Sequence, residues 1–437
     1  MSAEAGQKHT PPTALHREKS VFAPASASLR LVPASLLLAV AAAPVATAQE
    51  AQVTAQEGSK YEIYGFAMAD YIQDTKRLDP AWDDAFRPSK IGIDDQFGTN
   101  GQASVSVKQS RFGFKGSFPT GSGMPINFKF EFDFFGVGVD AGQTTIRLRH
   151  FYAEWGPILA GQTHTLFMDI DVFPNVIDYW GPSGMVFFRL PQLRWTPIKS
   201  DTSELAFAIE KPSNDVDPGN IRLVEEFANA DIQNDEKVPD FTAHYRMDGK
   251  WGHFQLAGML RRVGYEYRIT PEEPWHSGAR TGWGINASSS INTVGKDKLL
   301  LQVVHGDGIA TYMNDGGMDL APTAQYGPFP GSPATVPTLS AEAVPLTGVL
   351  AYYDHYWSSK WSTSLGYSFT KVTNTNFQET GAFHKGDYAS INLLAYPTDK
   401  MIVGAELMWG KRTNNDGATG NDTRFQLSVR YDFDKTL

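Results

Sequence analysis

The sequence predicts an all-β protein: a transmembrane antiparallel β-barrel of about sixteen strands with short periplasmic turns and long extracellular loops. Three observations support this fold class. Apolar and polar residues alternate over most of the chain from Tyr61 onward, short and long links alternate between the strands, and aromatic residues gather beside the short links. The competing prediction is a soluble β-sandwich, in which the apolar face of each strand would pack on a protein core rather than on lipid.

The alternation is clearest in two segments. Residues 425–433 read FQLSVRYDF and residues 126–135 read INFKFEFDFF. Successive side chains of a strand point to opposite faces, so each segment has one apolar and one polar face. A Lys or Arg that faces lipid at the bilayer midplane costs about 2–4 kcal/mol. Lys129, Glu131 and Asp133 are therefore predicted to face the lumen, while the aromatic residues between them face lipid.

The links between the strands fall into two classes that alternate along the chain. Short links occur at 119–125, 154–157, 196–201, 248–250, 294–298, 358–360 and 398–400. Long, polar or Gly/Pro-rich links occur at 74–103, 136–144, 167–184, 211–239, 267–281, 309–345, 374–387 and 410–423. All short links would then lie on one side of the sheet and all long links on the other, as in outer-membrane barrels. A soluble β-protein, such as a secreted adhesin, does not require this segregation.

Aromatic residues accumulate beside the short links. One link is surrounded by Tyr352, Tyr353, Tyr356, Trp357 and Trp361, and others are flanked by Trp155, Trp195, Trp251 and Tyr396. Tyr and Trp are enriched where a barrel meets the membrane–water interface. The placement therefore favours a barrel in lipid over ordinary aromatic residues of a soluble sheet.

The segment 425–433 is predicted to be the last strand. It would close the barrel against the strand that begins near Tyr61, so that no sheet edge is exposed to lipid. Barrels of this kind end on an aromatic residue, here Phe433, whereas residues 434–437 (DKTL) follow it. Two interpretations stay open: these residues hang in the periplasm, or the register at the seam differs from the predicted one.

The N-terminal region predicts a secretory signal. Residues 31–46 are mostly apolar, with Arg30 before them and an Ala-x-Ala ending at Ala48. A membrane-spanning helix needs about 20 apolar residues, and Pro33 and Pro44 interrupt this stretch. We therefore expect a signal at 1–48, a short periplasmic segment at 49–59 and an outer-membrane barrel over 60–437.

Composition and motifs argue against several functions. The chain has no cysteine and a formal net charge of −10, which disfavours disulfides, cysteine chemistry and a nucleic-acid partner. No G-x-S-x-G motif occurs, and the segment 169–178 (DIDVFPNVID) lacks the glycine-turned loop of a calcium site. The chain is therefore predicted not to be an enzyme and to need no cofactor or metal. An outer-membrane lipid hydrolase on a smaller barrel is the alternative from another class.

Two segments resemble known porins. Residues 110–116 (SRFGFKG) are similar to the second-strand motif of general bacterial porins, and residues 147–197, with FKFEFDFF before them, resemble the DcaP-like outer-membrane porins. The resemblance implies a homotrimer of sixteen-stranded barrels in the outer membrane of a Gram-negative bacterium, in contact with lipid and lipopolysaccharide. It also implies passage of small solutes, with dicarboxylates and other organic anions as the class. DcaP-like proteins often carry an N-terminal coiled coil, whereas here only about a dozen residues separate the predicted cleavage site from the first strand.

The resemblance also identifies a constriction. In porins the long link after the fifth strand folds into the barrel, so the segment 167–184 is expected to narrow the pore and to place there Asp169, Asp171 and Asp178. Barrels of about sixteen strands enclose an aqueous channel. The chain is therefore interpreted as a diffusion pore.

The alternation turns a set of arginines toward the lumen. Arg111 opposes outward Phe112, Arg147 and Arg149 oppose Leu148, and Arg189 lies between Phe188 and Leu190. Arg194 is a further candidate, although Pro191 interrupts the strand before it, and Arg246 is a weaker one. Arg111, Arg149 and Arg189 match the basic cluster of general porins.

Guanidinium groups stay charged and suit carboxylates, so these arginines are predicted to favour anions over cations. In the structural alternative they pair with Glu131, Asp133 and Glu154 and only tie the wall together. A sugar-selective or non-selective channel is the alternative within transport. A sugar channel would need aromatic residues along the lumen.

Overall fold

The computed structural model describes residues 58–136, 145–328 and 335–437. The predicted signal at 1–48 and residues 49–57 of the predicted periplasmic segment lie outside the described residues. None of the helical segments among the described residues has the length and apolarity needed to cross a membrane.

Twenty strands and five short 3-10 helices make up the described part of the chain. The strands are β1 Lys60–Asp74, β2 Gln102–Ser106, β3 Arg111–Phe118, β4 Ile126–Asp133, β5 Arg147–Trp155, β6 Ile158–His164, β7 Arg189–Lys199, β8 Ser203–Glu210, β9 Asp231–Asn234, β10 Asp240–Gly249, β11 Gly252–Arg268, β12 His276–Asn292, β13 Lys298–Asp307, β14 Leu320–Pro328, β15 Thr335–Ala343, β16 Pro345–Tyr356, β17 Trp361–Val372, β18 Phe383–Thr398, β19 Met401–Asn414 and β20 Thr419–Thr436. The 3-10 helices are Pro88–Lys90, Ile170–Val172, Gly219–Leu223, Glu225–Phe227 and Ala310–Tyr312.

The strands form a closed antiparallel barrel of sixteen strands, which confirms the predicted fold class. β2 and β3 are two halves of one barrel strand, because β2 pairs with Asp70–Asp74 and β3 with Lys60–Phe66 of β1. β9 adds a short extension beside the outer end of β11. β14 and β15 pair with each other, as a hairpin in the link 308–344, and Leu320 also forms an isolated bridge with Val216. Closure comes from β1, which pairs with β20.

The closing strand runs three residues past Phe433. Gly65 lies opposite Phe433, and Glu62 still lies opposite Thr436. Residues 434–436 therefore continue the ladder instead of hanging in the periplasm. Lys400 in the neighbouring turn forms an ion pair with Asp434 at 2.7 Å, which holds this end of the strand.

The short links are turns as predicted, but strands extend into three of the predicted long links. One of these is 374–387, because β18 begins at Phe383. β11 and β12 leave only 269–275 between them, and β19 and β20 leave only 415–418. The predicted links at 267–281 and 410–423 were therefore too long. The ends of these strands lie beyond the apolar band, where both faces of a strand meet water. The alternation of apolar and polar residues, which indicates a strand in the sequence, is therefore lost there.

Side-chain burial is inverted relative to a soluble protein. Outward residues such as Leu365, Leu407 and Val429 are about half exposed, whereas inward Gln302 and Ser368 are almost completely buried. The apolar face of the alternation therefore points away from the barrel, as a lipid-facing surface requires. The predicted direction of the two faces is confirmed.

The lumen contains more apolar packing than the sequence predicts. Loops between 78 and 91, 166 and 190, and 309 and 313 pack inside the barrel against inward residues of β13 and β16–β19. Among these wall residues are Leu300, Leu350, Tyr352 and Tyr388, all nearly inaccessible. The expectation of an open lumen lined by polar residues is therefore wrong for this half of the barrel, because large apolar loop residues fill it.

Candidate functional site: an arginine-lined passage beside the inner loop

The link between β6 and β7, residues 165–188, crosses the lumen, and we call it the inner loop. At its start, Asp169 accepts a hydrogen bond from Ser288 Oγ of β12 at 2.6 Å. Farther along, Asn175 Nδ2 donates to Tyr396 Oη of β18 at 2.8 Å, and the Ile177 N–H donates to Glu406 Oε2 of β19 at 2.6 Å. The loop is thus anchored to widely separated strands.

Close backbone contact fixes the far end of the inner loop. A Cβ atom at Gly184 would lie 2.3 Å from the Val349 carbonyl oxygen and 2.4 Å from that of Phe369. Thr370 Oγ1 donates to the Ser183 carbonyl at 2.7 Å, and Gln302 Nε2 donates to the Gly184 carbonyl at 3.0 Å. A glycine is therefore required where the loop presses on β16 and β17.

Two of the three predicted constriction carboxylates hold the loop together. Asp178 is buried and accepts hydrogen bonds from the N–H groups of Trp180 and Gly181 at 2.9 Å and of Phe86 at 3.2 Å. Burial raises its pKa above the ordinary value. Asp169 caps the helix Ile170–Val172 and is also buried. These carboxylates lie among protein donors instead of facing an open passage.

Asp171 is exposed and forms an ion pair with Arg246 of β10. Its Oδ2 atom lies 2.7 Å from Arg246 Nη1, which also lies 3.6 Å from Asp169 Oδ1. His253 Nε2 lies 2.7 Å from Asp169 Oδ2. Asp169, Asp171 and His253 could together offer ligands to a metal, but the Arg246 guanidinium already neutralises the carboxylates. Arg246 therefore belongs to the anchoring of the inner loop.

The remaining predicted arginines, apart from Arg194, gather around two carboxylates of β4. Arg147 binds Asp133 through Nε at 3.0 Å and Nη2 at 2.6 Å. Arg149 bridges both carboxylates, with Nε 2.7 Å from Glu131 and Nη1 2.8 Å from Asp133. Arg111 Nε lies farther away, 3.6 Å from Glu131. The predicted grouping of these residues is therefore present in the fold.

Arg189 joins this cluster without a carboxylate of its own. Among the described residues it forms no ion pair, and its buried Nη1 has no hydrogen-bond partner. Its guanidinium lies over the Phe187 ring at 5.1 Å, and it lines the same cavity as Arg147. A buried donor without a partner is costly, so a ligand carboxylate would complete this site.

The cluster carries an excess of positive charge. Arg111, Arg147 and Arg149 share Glu131 and Asp133 with Lys129, whose Nζ lies 3.4 Å from Glu131. Arg189 adds a fourth guanidinium, which has no ion pair among the described residues. Five cations against two carboxylates leave three positive charges. The local balance therefore opposes the net negative charge of the whole chain.

A β-bulge brings in a residue that the sequence did not reveal. Glu131 pairs with His150 and Phe132 with Leu148, so Arg149 is the extra residue. Arg149 and His150 consequently both lie inside, and His150 Nδ1 is 3.0 Å from Thr163 Oγ1. Strict alternation cannot predict two consecutive inward residues. The adjacent polar pair before outward Phe151 is the only sequence signal for it.

The register of β7 also differs from the prediction. Leu190 was expected to face lipid, but it is buried in the luminal core. From Pro191 to Trp195 the strand alternates regularly, with Leu193 outward and Arg194 inward, and a bulge follows before Ile198. Arg194 donates to Gln192 Oε1 at 3.0 Å and to the His164 carbonyl at 2.7 Å. Arg189 is the first residue of β7. It reaches the cluster although its position does not follow the alternation of the later residues.

Two cavities flank the cluster. One of about 300 Å³ is lined by Arg111, Arg149 and Arg430, and one of about 360 Å³ by Arg87, Arg147 and Arg189. Tyr179 and Phe187 of the inner loop line both.

Tyr179 is held rigidly where the cavities meet. Its hydroxyl accepts a hydrogen bond from Arg149 Nη1 at 3.1 Å and donates to Asp133 Oδ2 at 3.0 Å. Its ring stacks on Phe135 with 3.8 Å between centroids. Tyr179 is therefore a fixed wall residue of both cavities.

The larger cavity also has an aromatic wall. The Arg87 guanidinium lies 4.2 Å from the Trp82 ring and 4.6 Å from the Trp180 ring. Arg87 Nη2 is also 3.0 Å from Asp315 Oδ1. These aromatic residues belong to loops, which is why the strand alternation did not place them in the lumen.

Comparison with known proteins agrees with this architecture. The family model described as "DcaP outer membrane protein" matches residues 44–314. The crystal structure of the outer membrane channel DcaP of Acinetobacter baumannii is similar with a TM-score of 0.69 and 21% identity, covering 86% of this chain and 98% of that chain.

Two further structures share the fold at lower similarity. The anion-selective porin from Comamonas acidovorans matches with a TM-score of 0.53 and 10% identity, covering 86% of this chain and 100% of that one. Salmonella typhi OmpF in complex with daunomycin matches with a TM-score of 0.52 and 12% identity, covering 85% of this chain and 97% of that chain.

None of the curated protein sequences compared with this chain matches it significantly. The family match spans more than half of the chain, and the barrel it implies is the one observed. The chain therefore belongs to the DcaP outer membrane protein family, a family of porin-type channels of the Gram-negative outer membrane.

Proposed function

We propose that this porin passes small organic anions, with dicarboxylates as the main class, through the two cavities that meet at Tyr179. The observation that carries the proposal is Arg189, a partly exposed side chain beside the passage that has no ion pair among the described residues and whose buried Nη1 has no hydrogen-bond partner. Because a guanidinium stays protonated, its charge is available to a solute at every physiological pH.

The arrangement supports a stepwise path for a carboxylate. Arg147 and Arg189 would attract it in the larger cavity, and Arg149 and Arg111 would receive it in the smaller one. Arg147 and Arg149 are already bound to protein carboxylates, so each would hold a solute only weakly. Weak contact at several sites permits conduction, whereas one tight site would stall it.

The structural alternative applies to part of the cluster. Arg147 and Arg149 do tie β5 to β4 through Asp133 and Glu131. Arg189 has no such bond, and this difference separates a wall-stabilising role from a role in solute passage. We therefore assign the solute-binding role chiefly to Arg189.

The proposal is tested by permeation into liposomes that contain the purified protein. Three four-carbon solutes of equal length are compared: a dicarboxylate, an uncharged diol and a diamine. The dicarboxylate is expected to enter fastest. Arg189→Gln is expected to slow it by about tenfold, equivalent to about 1.4 kcal/mol, with little effect on the diol.

Arg268→Gln is the matched control, because Arg268 ends β11 at the extracellular side, where it pairs with Asp231 at 2.7 Å. This variant is expected to behave as the parent protein. Equal rates of dicarboxylate entry in the parent and in Arg189→Gln would contradict the proposal.

A sugar-selective channel is a second candidate, favoured by the aromatic wall of the larger cavity. Trp82, Trp180, Phe187 and Phe188 line it, and flat aromatic faces suit the apolar side of a sugar ring. In the same liposomes, a disaccharide that enters faster than a non-sugar polyol of equal size would support this function.

Assembly and processing are proposed from the resemblance and the N-terminal pattern. We infer a homotrimer in outer-membrane lipid and a signal removed after Ala48. Native mass spectrometry of the detergent-extracted protein should give three chains, each beginning at Gln49. A monomer, or a chain that retains residues 1–48, would contradict the respective proposal.

A further inference from the structure

Three lysines lie together on the outside of the barrel, on adjacent strands, and we call them the lysine patch: Lys371 of β17, Lys385 of β18 and Lys411 of β19. Lys371 lies directly opposite Lys385. Lys411 lies directly opposite Asp387, which places it diagonally from Lys385. The patch therefore spans two strand spacings, about 10 Å.

All three lysines face outward. On each strand they follow the alternation of the lipid-facing residues, Leu365 and Tyr367 on β17, Ile391 on β18 and Leu407 on β19, which are 41–54% exposed. The patch is thus on the lipid side of the wall, separate from the arginine cluster in the lumen.

The height of the patch places it at the outer edge of the membrane. Lys371 follows Trp361, at the periplasmic end of β17, by ten residues, which is about 33 Å along a strand. With the usual strand tilt this rise is about 25 Å, the height of the apolar band of such barrels. Tyr367 lies four positions below Lys371 and Trp409 two positions below Lys411, as an upper aromatic girdle would. The ammonium groups therefore lie where the head groups of the outer leaflet begin.

The patch has too few carboxylates for its charge. Lys385 Nζ binds Asp387 Oδ1 at 2.7 Å, and the Tyr367 hydroxyl donates to the same oxygen. Lys371 and Lys411 form no ion pair with any residue that the structure describes. Like charges directly opposite on neighbouring strands are destabilising, so Lys371 and Lys385 are costly side by side unless an anion lies between them.

We propose that the lysine patch binds the phosphate groups of a phosphorylated glycolipid in the outer leaflet, with the acyl chains lying along the apolar band below it. Charge complementarity favours a phosphate, the height of the patch matches the head-group layer, and the outward orientation excludes a solute in the pore. Because the proposal needs only the location in the outer membrane, it does not depend on anion transport.

The experiment measures binding of diphosphoryl lipid A to the full-length protein in detergent by native mass spectrometry. The triple variant K371Q/K385Q/K411Q is expected to bind it about tenfold more weakly or worse, since each lysine near a membrane surface contributes to anionic-lipid binding. The variant K250Q/K296Q/K360Q is the matched control, because it removes the same charge from exposed turns at the periplasmic end. It is expected to bind as the parent protein does.

A gain-of-binding variant guards against loss by misfolding. Asp387→Asn removes the carboxylate of the patch and is expected to tighten lipid A binding several-fold. Monophosphoryl lipid A is expected to bind more weakly than the diphosphoryl form, and inorganic phosphate at equal concentration should not displace either.

Equal lipid A binding by the patch variant and the control would overturn the proposal. Displacement by inorganic phosphate would also overturn it, because the site would then take free anions. So would a change in oligomeric state of the patch variant with unchanged lipid binding, because the patch would then be a contact between chains.

Discussion

Asp133 holds two guanidinium groups at once, whereas Arg189 is held by none. Asp133 is fully buried, and both Arg147 and Arg149 reach its Oδ2 atom within 2.8 Å. Removing one partner of a buried ion pair leaves the other charge uncompensated. The two residues therefore have opposite effects on the stability of the barrel wall. Asp133 stabilises it, whereas Arg189 adds an unpaired charge to it.

This contrast predicts different effects on the free energy of unfolding. Asp133→Asn should lower it by about 3 kcal/mol, while Arg189→Gln should leave it unchanged or raise it. Urea titration of the refolded protein in lipid measures both values. Similar losses in the two variants would mean that Arg189 is a structural residue after all.

At the same scale, the sequence predicted which arginines face inward but not how they are paired. Alternation placed Arg111, Arg147 and Arg149 correctly because lipid excludes charge from the other face. It could not show the bulge at Arg149, since an extra residue depends on both partner strands. Nor could it show that Asp169 and Asp178 are buried, because their partners are backbone N–H groups whose positions only the folded loop defines.

At the scale of elements, the inner loop depends on Asp178. Three backbone N–H groups donate to this carboxylate, and a buried donor that loses its acceptor costs about 1–3 kcal/mol. Asp178→Ala should therefore loosen residues 165–188 without opening the barrel. Hydrogen exchange should speed up at these amides and stay slow in β16–β20. Asp399→Ala is the control, since Asp399 is exposed in the turn between β18 and β19. Equal exchange of the inner-loop amides in the two variants would contradict this role.

Two extracellular links are joined by reciprocal hydrogen bonds. The Asp319 N–H donates to Asp215 Oδ1 at 2.7 Å, and the Asp215 N–H donates to Asp319 Oδ2 at 3.3 Å. Burial and the charge of Asp319 raise the pKa of Asp215 from 3.8 to about 7. A raised carboxyl pKa stabilises the contact at low pH and loses that stabilisation as the pH rises through about 7.

The contact between these links should therefore be tighter at pH 5 than at pH 8. After correction for intrinsic rates, amides of 213–220 should exchange more slowly at pH 5. In Asp215→Asn, which cannot ionise, this pH dependence should disappear. A pH dependence that persists in this variant would assign the effect to another group.

Among the elements, those in contact with lipid were the ones predicted best. The strand cores and all short turns were recognisable because the membrane imposes alternation on them. The outer ends of β11, β12, β18, β19 and β20 were taken for links, because outside the bilayer both faces of a strand meet water. The hairpin of β14 and β15 was missed because prolines interrupt both of its segments.

At the scale of the whole molecule, the barrel is divided along its axis. Loops pack against β13 and β16–β19 and fill much of that half. The cavities lie beside β1, β3, β5 and β7, where the arginines gather, and the smaller one also reaches β18–β20. A barrel of this size would otherwise leave a wide, weakly selective channel. The loop packing confines the proposed path to the wall with the excess positive charge, and this confinement depends on long-range contacts that no local pattern encodes.

The central claim is that this path prefers anions. The direct measurement is the reversal potential of the purified protein in a planar bilayer under a KCl gradient. We predict stable single-channel conductance steps and a reversal potential whose sign corresponds to anion selectivity. This potential should shift toward zero in Arg189→Gln and stay unchanged in Arg268→Gln. A reversal potential on the cation side for the parent protein would contradict the account.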